Sequence, residues 1–465
     1  MDAWISQFYS LNGAWATKMK RIRSALCCLA LLCAAPPLFA NPYMETLPNG
    51  LKVIVKEDRR APVVVSQVWY RAGSIDEFNG TTGVAHALEH MMFKGTKKVP
   101  AGQFSKLIAA AGGRENAFTT QDFTAFFQEL DKSKLPLAMR LESDRMENLL
   151  LSGKEFSKEI KVVMEERRLR TEDQPHALLY EKMMSVAFQD SPYRRPVIGW
   201  MNDLQNMTVE DARAWYHRWY APNNATLVVV GDVSHQQVFA LAKQYYGKIK
   251  PAILPVRKPQ IEPEQVGIKR IDVKAPANTP YFLMGYHAPE IRDAAKDWEP
   301  YALDVLAGVL DGNPAARLDK ALTRDNPVAV SVSASYDDTG RGPGMFVIDA
   351  TPSQGKTATE VEAAIRAQLE KVVRDGVTEE ELKRVKAQVT ASHVFQRDSM
   401  FYQAMQIGQL ESVGLSYKDI DVMLKKINGV TAEQVQQVAK KYFTDDNLTV
   451  AALVPQPMKG DSHAK

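Results

Sequence analysis

Within the stretch TTGVAHALEHMMFKGT, residues 81–96, the histidines His86 and His90 stand four positions apart with Glu89 between them. On a helix this spacing brings both imidazoles to one face about a turn apart, which is ligand geometry for a divalent metal. Glu89, three residues after His86, flanks the same face and can reach a water on the metal. Two imidazoles and one carboxylate leave a fourth position open for water, and that donor set suits zinc. A bare histidine pair at this spacing is more often a surface accident. A glutamate at the one position that can serve as base separates the pattern from that reading. Gly83, Ala85, Ala87 and Leu88 make a helix that packs closely in a core, where paired histidines without a partner would be costly.

With these residues in view, the chain resembles the peptidase family typified by pitrilysin, insulysin and the mitochondrial processing peptidase, the H-x-x-E-H zinc peptidases. In that family a later glutamate completes the metal site. The matching residue is Glu166, 76 positions after His90, in the run VVMEERR of residues 162–168. Glu165 is its rival, and the resemblance favours the second acid of the pair. Glu159, seven residues before Glu166 and so on the same helical face, matches the family's supporting carboxylate. Read from the residues alone it is equally a solvated helix charge. The stretch GGRENAFTT, residues 112–120, resembles a family segment that leads into an edge strand. This implies that Asn116, Ala117, Phe118 and Thr119 contact a peptide substrate added to that strand. The likeness continues through WYAPNN at 219–224 and Ala316-Arg317-Leu318 in the second half. Arg317 matches an arginine that complete family members use to hold substrate. Their carbonyl-polarising tyrosine falls on Val330 here, and Tyr336 lies six residues out of register.

The resemblance implies a zinc-dependent endopeptidase with one Zn2+ per chain, held by His86, His90 and Glu166, and Glu89 as general base. Peptides or unfolded segments are the expected substrates, and a dimer the expected assembly. The missing tyrosine points to an alternative: a half-site subunit of a heterodimer whose homologous partner supplies that residue. A noncatalytic subunit and a zinc hydrolase of non-peptide substrates are the competing readings. The intact motif disfavours the first, the edge-strand likeness the second. His176, His217, His235, His287, His393 and His463 have no histidine or carboxylate at ligand spacing.

The elements that must position these residues alternate between strand and helix. Residues 51–55, 63–69 and 225–231 read as β-branched strands. Helices are predicted at 105–111, 135–150 and 154–169, the last carrying Phe156, Ile160 and Val163 on one side. Pro251, Pro255, Pro259 and Pro263 recur every fourth residue, which forbids helix and marks a linker over 250–265. Beyond it the order repeats. The helix at 208–220 followed by NATLVV at 224–229 resembles the helix at 431–443 followed by NLTVAA at 447–452, each opened by a threonine capping signal. The predicted fold class is α+β: two homologous α/β-sandwich domains, each a mainly antiparallel sheet covered by helices, at 41–249 and 266–456, with a tail at 457–465.

A chain of 465 residues with 45% hydrophobic and 24% charged residues suits two such domains. Of its net charge of +3, Lys18, Lys20, Arg21 and Arg23 sit near the N-terminus against Asp2 alone, so the remainder is close to neutral. That disfavours nucleic acid as a partner. An apolar run at 25–35 and Pro36-Pro37-Leu38-Phe39-Ala40 follow the basic residues, a secretory signal over residues 1–40 whose start is read as Met19. The run is too short for a membrane span. Cys27, Cys28 and Cys33 all fall within it. The mature protein is therefore expected to lack thiols, and to be exported to a bacterial periplasm.

Overall fold

A computed structural model describes residues 42–324 and 327–457. The signal segment, the start at Met19, the three cysteines and the tail after residue 457 lie outside the described residues.

The first half builds one sheet from β1 (Tyr43–Thr46), β2 (Lys52–Glu57), β3 (Val63–Tyr70), β4 (Arg114–Thr119), β5 (Thr124–Asp131) and β6 (Ala225–Gly231). Its spatial order is β1-β2-β6-β3-β5-β4. The apolar runs of β3 and β6 take the centre, where both faces are covered and polar alternation is not required. β2 and β6 are parallel and the other neighbours antiparallel. β4 is an edge strand, pairing with β5 alone among the described residues.

The second half forms a sheet from β7 (Lys269–Pro276), β8 (Tyr281–Ala288), β9 (Ala329–Tyr336), β10 (Gly344–Pro352) and β11 (Leu448–Gln456), in the order β7-β11-β8-β10-β9. This matches β2-β6-β3-β5-β4 strand for strand, including the single parallel pair. The repeat extends to side chains. Asn224 donates from Nδ2 to Trp219 O at 2.9 Å, and Asn447 donates in the same way to Tyr442 O at 2.8 Å. Each asparagine also donates to a carbonyl at the end of the matching strand, Arg71 O just past β3 or His287 O near the end of β8. The fold is thus a duplicated α+β unit.

Helices α1 (Val84–Met91), α2 (Gln103–Ala110), α3 (Leu135–Asn148), α4 (Gly153–Arg167), α5 (Pro175–Ala187), α6 (Met201–Asn206), α7 (Val209–Trp219) and α8 (His235–Tyr246) belong to the first half. Those of the second are α9 (Glu299–Leu310), α10 (Arg317–Leu322), α11 (Ala358–Asp375), α12 (Glu379–Gln396), α13 (Met400–Val413), α14 (Ile420–Gly429) and α15 (Ala432–Tyr442). One face of the first sheet packs against α1, α3, α7 and α8 around Val68, Leu88, Met139 and Trp215. The other faces are exchanged. α13 from the second half lies on β3 and β6 through Ala404 and Ile407, while α5 from the first half lies on β7, β8 and β11 through Leu179 and Met183. Gly408 in α13 lets the helix close onto the Trp69 indole, which a Cβ would strike.

Residues 250–266 form neither helix nor strand, yet they are tied down. Glu262 accepts hydrogen bonds from the backbone of Gln189, Asp190 and Ser191, and the Arg257 guanidinium lies 4.3 Å from the centre of a Trp219 ring. A buried ion cluster joins the halves beside this segment. Asp76 receives Arg341 of the second half through two hydrogen bonds, of 2.7 and 2.9 Å, and Arg257 through a third of 2.7 Å. Among the described residues no helix is long and apolar enough to cross a membrane.

Candidate metal centre

α1 is placed by its own N-terminus. Gly83 precedes it at φ +87° and lies against Gly199 at φ +84°, a mutual approach that a side chain on either residue would block. The Glu77 carboxylate accepts from Gly83 N at 2.8 Å and Ala85 N at 2.9 Å, satisfying amide groups that a helix start leaves unpaired. Asp203 accepts from Gly80 N, Thr82 N and Thr82 Oγ1. With seven of its eight residues buried, α1 can expose only His90, and it packs across α4.

α4 begins at Ser152, whose side chain accepts from Glu155 N, and buries Phe156, Ile160 and Val163. Those three residues fix the helix rotation, so Glu159 and Glu166 share the face turned to α1. A π-helical turn, Arg168–Glu172, follows directly. From it Arg170 reaches Glu166 Oε1 at 3.0 Å.

The expected ligands are thereby brought together. His90 Nε2 lies 3.3 Å from Glu166 Oε2, and His86 Nε2 lies 3.8 Å from Glu166 Oε1. One donor atom from each of the three residues falls within 4.8 Å of the others. Glu165 instead faces solvent and pairs with Arg168 at 2.8 Å. Glu159 Oε2 sits 3.5 Å from His90 Nδ1, and its Oε1 accepts Lys94 Nζ at 2.8 Å. With zinc in place, a proton kept on Nδ1 and turned to Glu159 would leave Nε2 to face the metal beside Glu166.

The electrostatics suit metal binding. Burial, then the neighbouring His90, pull His86 down to about 4, so its ring is neutral near pH 7. Burial alone would raise Glu166, but the hydrogen bond with His90 and the charges of His86 and Arg170 bring it down to about 2. Burial pushes Glu89 up to about 7 against the opposing hydrogen bond from Thr119, a range in which a carboxyl both takes and gives protons at neutral pH. Burial alone would lower His90, but its hydrogen bond with Glu166 and the charges of Glu89, Glu166 and Glu159 raise it, so zinc would bind there in exchange for a proton. Two imidazoles and an ionised carboxylate, with a second carboxylate beside them, fit a zinc ion with one open position.

The other expected site residues divide. Thr119 Oγ1 donates to Glu89 Oε2 at 2.5 Å. Ala117 is buried in the core beneath α1, and Phe118 turns to the opposite face, against Trp69 and Phe123. Asn116 is exposed on the edge strand. Arg317 makes no hydrogen bond to the metal-centre residues. It is held by Glu381 at 2.7 and 2.8 Å and by Gly376 O. Val330 is exposed on β9, and the Tyr336 hydroxyl donates to Pro289 O. Sequence reading had no signal for Glu77, Asp203 or the bond from Thr119, since none stands at a spacing that marks it.

Comparison with known proteins decides the family. A zinc protease of Helicobacter pylori, PqqE, is 31% identical over 420 residues, covering 88% of this chain and 92% of that protein. The chain belongs to peptidase family M16. The family model described as Insulinase (Peptidase family M16) matches residues 52–200, and that described as Peptidase M16 inactive domain matches residues 206–389. The crystal structure of a protease from Helicobacter pylori superposes with a TM-score of 0.85 at 29% identity, covering 89% of this chain and all of that one. The periplasmic protease PqqL from Escherichia coli gives 0.76 at 19%, and there the match covers 89% of this chain but 48% of the other. All four metal-centre residues of this M16 chain lie inside the insulinase match. In the inactive-domain match α9, which like α1 joins the second and third strands of its duplicated core, buries Tyr301, Ala302, Leu303, Val305 and Leu306, none of them a histidine or carboxylate.

Proposed function

We propose that this M16 chain is a zinc-dependent endopeptidase acting on peptides or unfolded segments. The observation that carries the reading is the convergence of His86, His90 and Glu166 from two separate helices with Glu89 buried beside them. A bound zinc ion supplies a Lewis acid that acidifies water and stabilises negative charge on the scissile carbonyl oxygen. Glu89 takes the proton of the attacking water and returns it to the leaving amine. Glu159 orients the His90 ring, and Lys94 holds Glu159. The edge of β4 receives the substrate backbone by strand addition. The protein is exported to the periplasm, which fractionation of a tagged full-length chain tests.

A second reading has a specific observation behind it. Arg317 is spent on Glu381, and Val330 stands at the tyrosine position, so neither position offers the group that complete members use there. This favours a dimer in which a homologous chain supplies the tyrosine. The experiment is chelator-sensitive cleavage of a quenched peptide library by the purified chain, alone and with homologous partners. Cleavage by the chain alone rejects the half-site reading, and no cleavage in any combination rejects the peptidase.

A further inference from the structure

Glu89 is nearly fully buried, and among the described residues one side-chain hydrogen bond reaches its carboxylate: the 2.5 Å bond from the Thr119 hydroxyl to Oε2. That length is typical of an O–H donor to an ionised carboxylate. Thr119 has one proton to give. Its other neighbour, Thr124 Oγ1, is 3.4 Å away, and the Thr124 hydroxyl donates to Ala72 O at 3.0 Å. The proton of Thr119 therefore goes to Glu89.

The donor is itself rigid. Thr119 stands directly opposite Thr124 at the closed end of the β4–β5 hairpin, where Thr120 N donates to Phe123 O at 2.9 Å. The turn beyond is pinned to the segment leading into α1: Ser74 N and Ile75 N donate to Thr120 O and Gln121 O, and Gly73 lies so close to both carbonyls that a Cβ there would strike them. A side chain with this much support keeps its geometry without paying rotamer entropy in each reaction cycle.

We propose that Thr119 is a positioning residue for the general base: its hydroxyl holds Glu89 Oε2 so that Oε1 alone is presented to the attacking water. Thr119 is thereby separated from its strand neighbours Phe118, which packs against Trp69 and Phe123, and Asn116, which is exposed on the edge strand. The inference rests on the peptidase reading for its kinetic consequence but not for its geometry.

Two substitutions test it. Thr119→Ser keeps the hydroxyl, and Thr119→Val keeps the shape without it. In crystals of the metal-free protein, Thr119→Val is expected to release the Glu89 carboxylate into a rotated or divided position, while Thr119→Ser leaves it in place. In zinc-loaded protein, kcat for a quenched peptide is expected to fall about 10- to 100-fold in Thr119→Val, with KM, zinc content and Tm near wild type, and to stay within about threefold in Thr119→Ser. An unmoved Glu89 in Thr119→Val overturns the proposal. So does equal loss in both variants, a change in KM alone, or loss of zinc. If the wild-type chain cleaves no peptide, the peptidase reading fails and the crystallographic comparison still decides the role of Thr119.

Discussion

Glu159 Oε2 lies 3.5 Å from Nδ1 of His90, on the edge of the imidazole away from the nitrogen that faces Glu166. In the proposed zinc site this contact would keep the remaining His90 proton on Nδ1, so that the strength of the site would depend on a residue that touches no metal itself.

Replacing Glu159 by Gln is therefore expected to weaken zinc binding about 10- to 100-fold while leaving the ligands in place. Competition against a chelator of known affinity measures this. Unchanged affinity would return Glu159 to the status of a solvated helix charge.

Much of the centre was legible in the chain, for reasons that differ residue by residue. His86, Glu89 and His90 are local: helix geometry alone brings them to one face. Glu166 needed the family resemblance to separate it from Glu165, because both sit on one predicted helix and only tertiary packing says which faces inward. The duplication was visible in the paired helix-and-strand endings. The exchange of α5 and α13 between halves was not, since the pattern of a helix says which face is apolar but not which sheet will cover it. The Asp76–Arg341 pair spans most of the chain, and the engagement of Arg317 by Glu381 depends on a helix 64 residues away.

The Asp76–Arg341 pair is expected to matter for stability. Arg341→Ala removes two of the three arginine hydrogen bonds to Asp76 and leaves that of Arg257, so the loss is expected to fall short of about 3–5 kcal/mol, the cost of a buried charge left without a partner. Urea unfolding followed by tryptophan fluorescence reads the loss as a lower midpoint.

The same cluster predicts a dependence on pH. Burial alone would raise Asp76, but Arg341 and Arg257 outweigh it and hold the carboxyl below its ordinary value of 3.8. A carboxyl lowered by folding stabilises the protein above its unfolded value and loses that contribution as pH falls through the folded one. Stability of the wild type should thus carry an added acid-side loss below about pH 4, and Arg341→Ala should lack most of it. Parallel acid slopes for the two proteins in urea midpoints taken from pH 6 to pH 3 would contradict this.

Gly408 lies so close to Trp69 that a side chain there would strike the indole, where the exchanged helix meets the first sheet. Trp69→Ala removes a fully buried indole and is expected to cost about 3–5 kcal/mol. Gly408→Leu should be destabilising as well, because α13 must move off the sheet. Wild-type stability in Gly408→Leu would show that the exchanged helix is not seated there.

The most direct test of the account is the zinc content of the purified chain, measured after dialysis for the wild type and for His90→Ala, Glu166→Gln, Glu165→Gln and Glu89→Gln. The predicted result is about one zinc per chain in the wild type, Glu165→Gln and Glu89→Gln, and loss of the metal from His90→Ala and Glu166→Gln. A wild-type chain that takes up no zinc, or a Glu166→Gln variant that holds it as tightly as the wild type, would contradict the account.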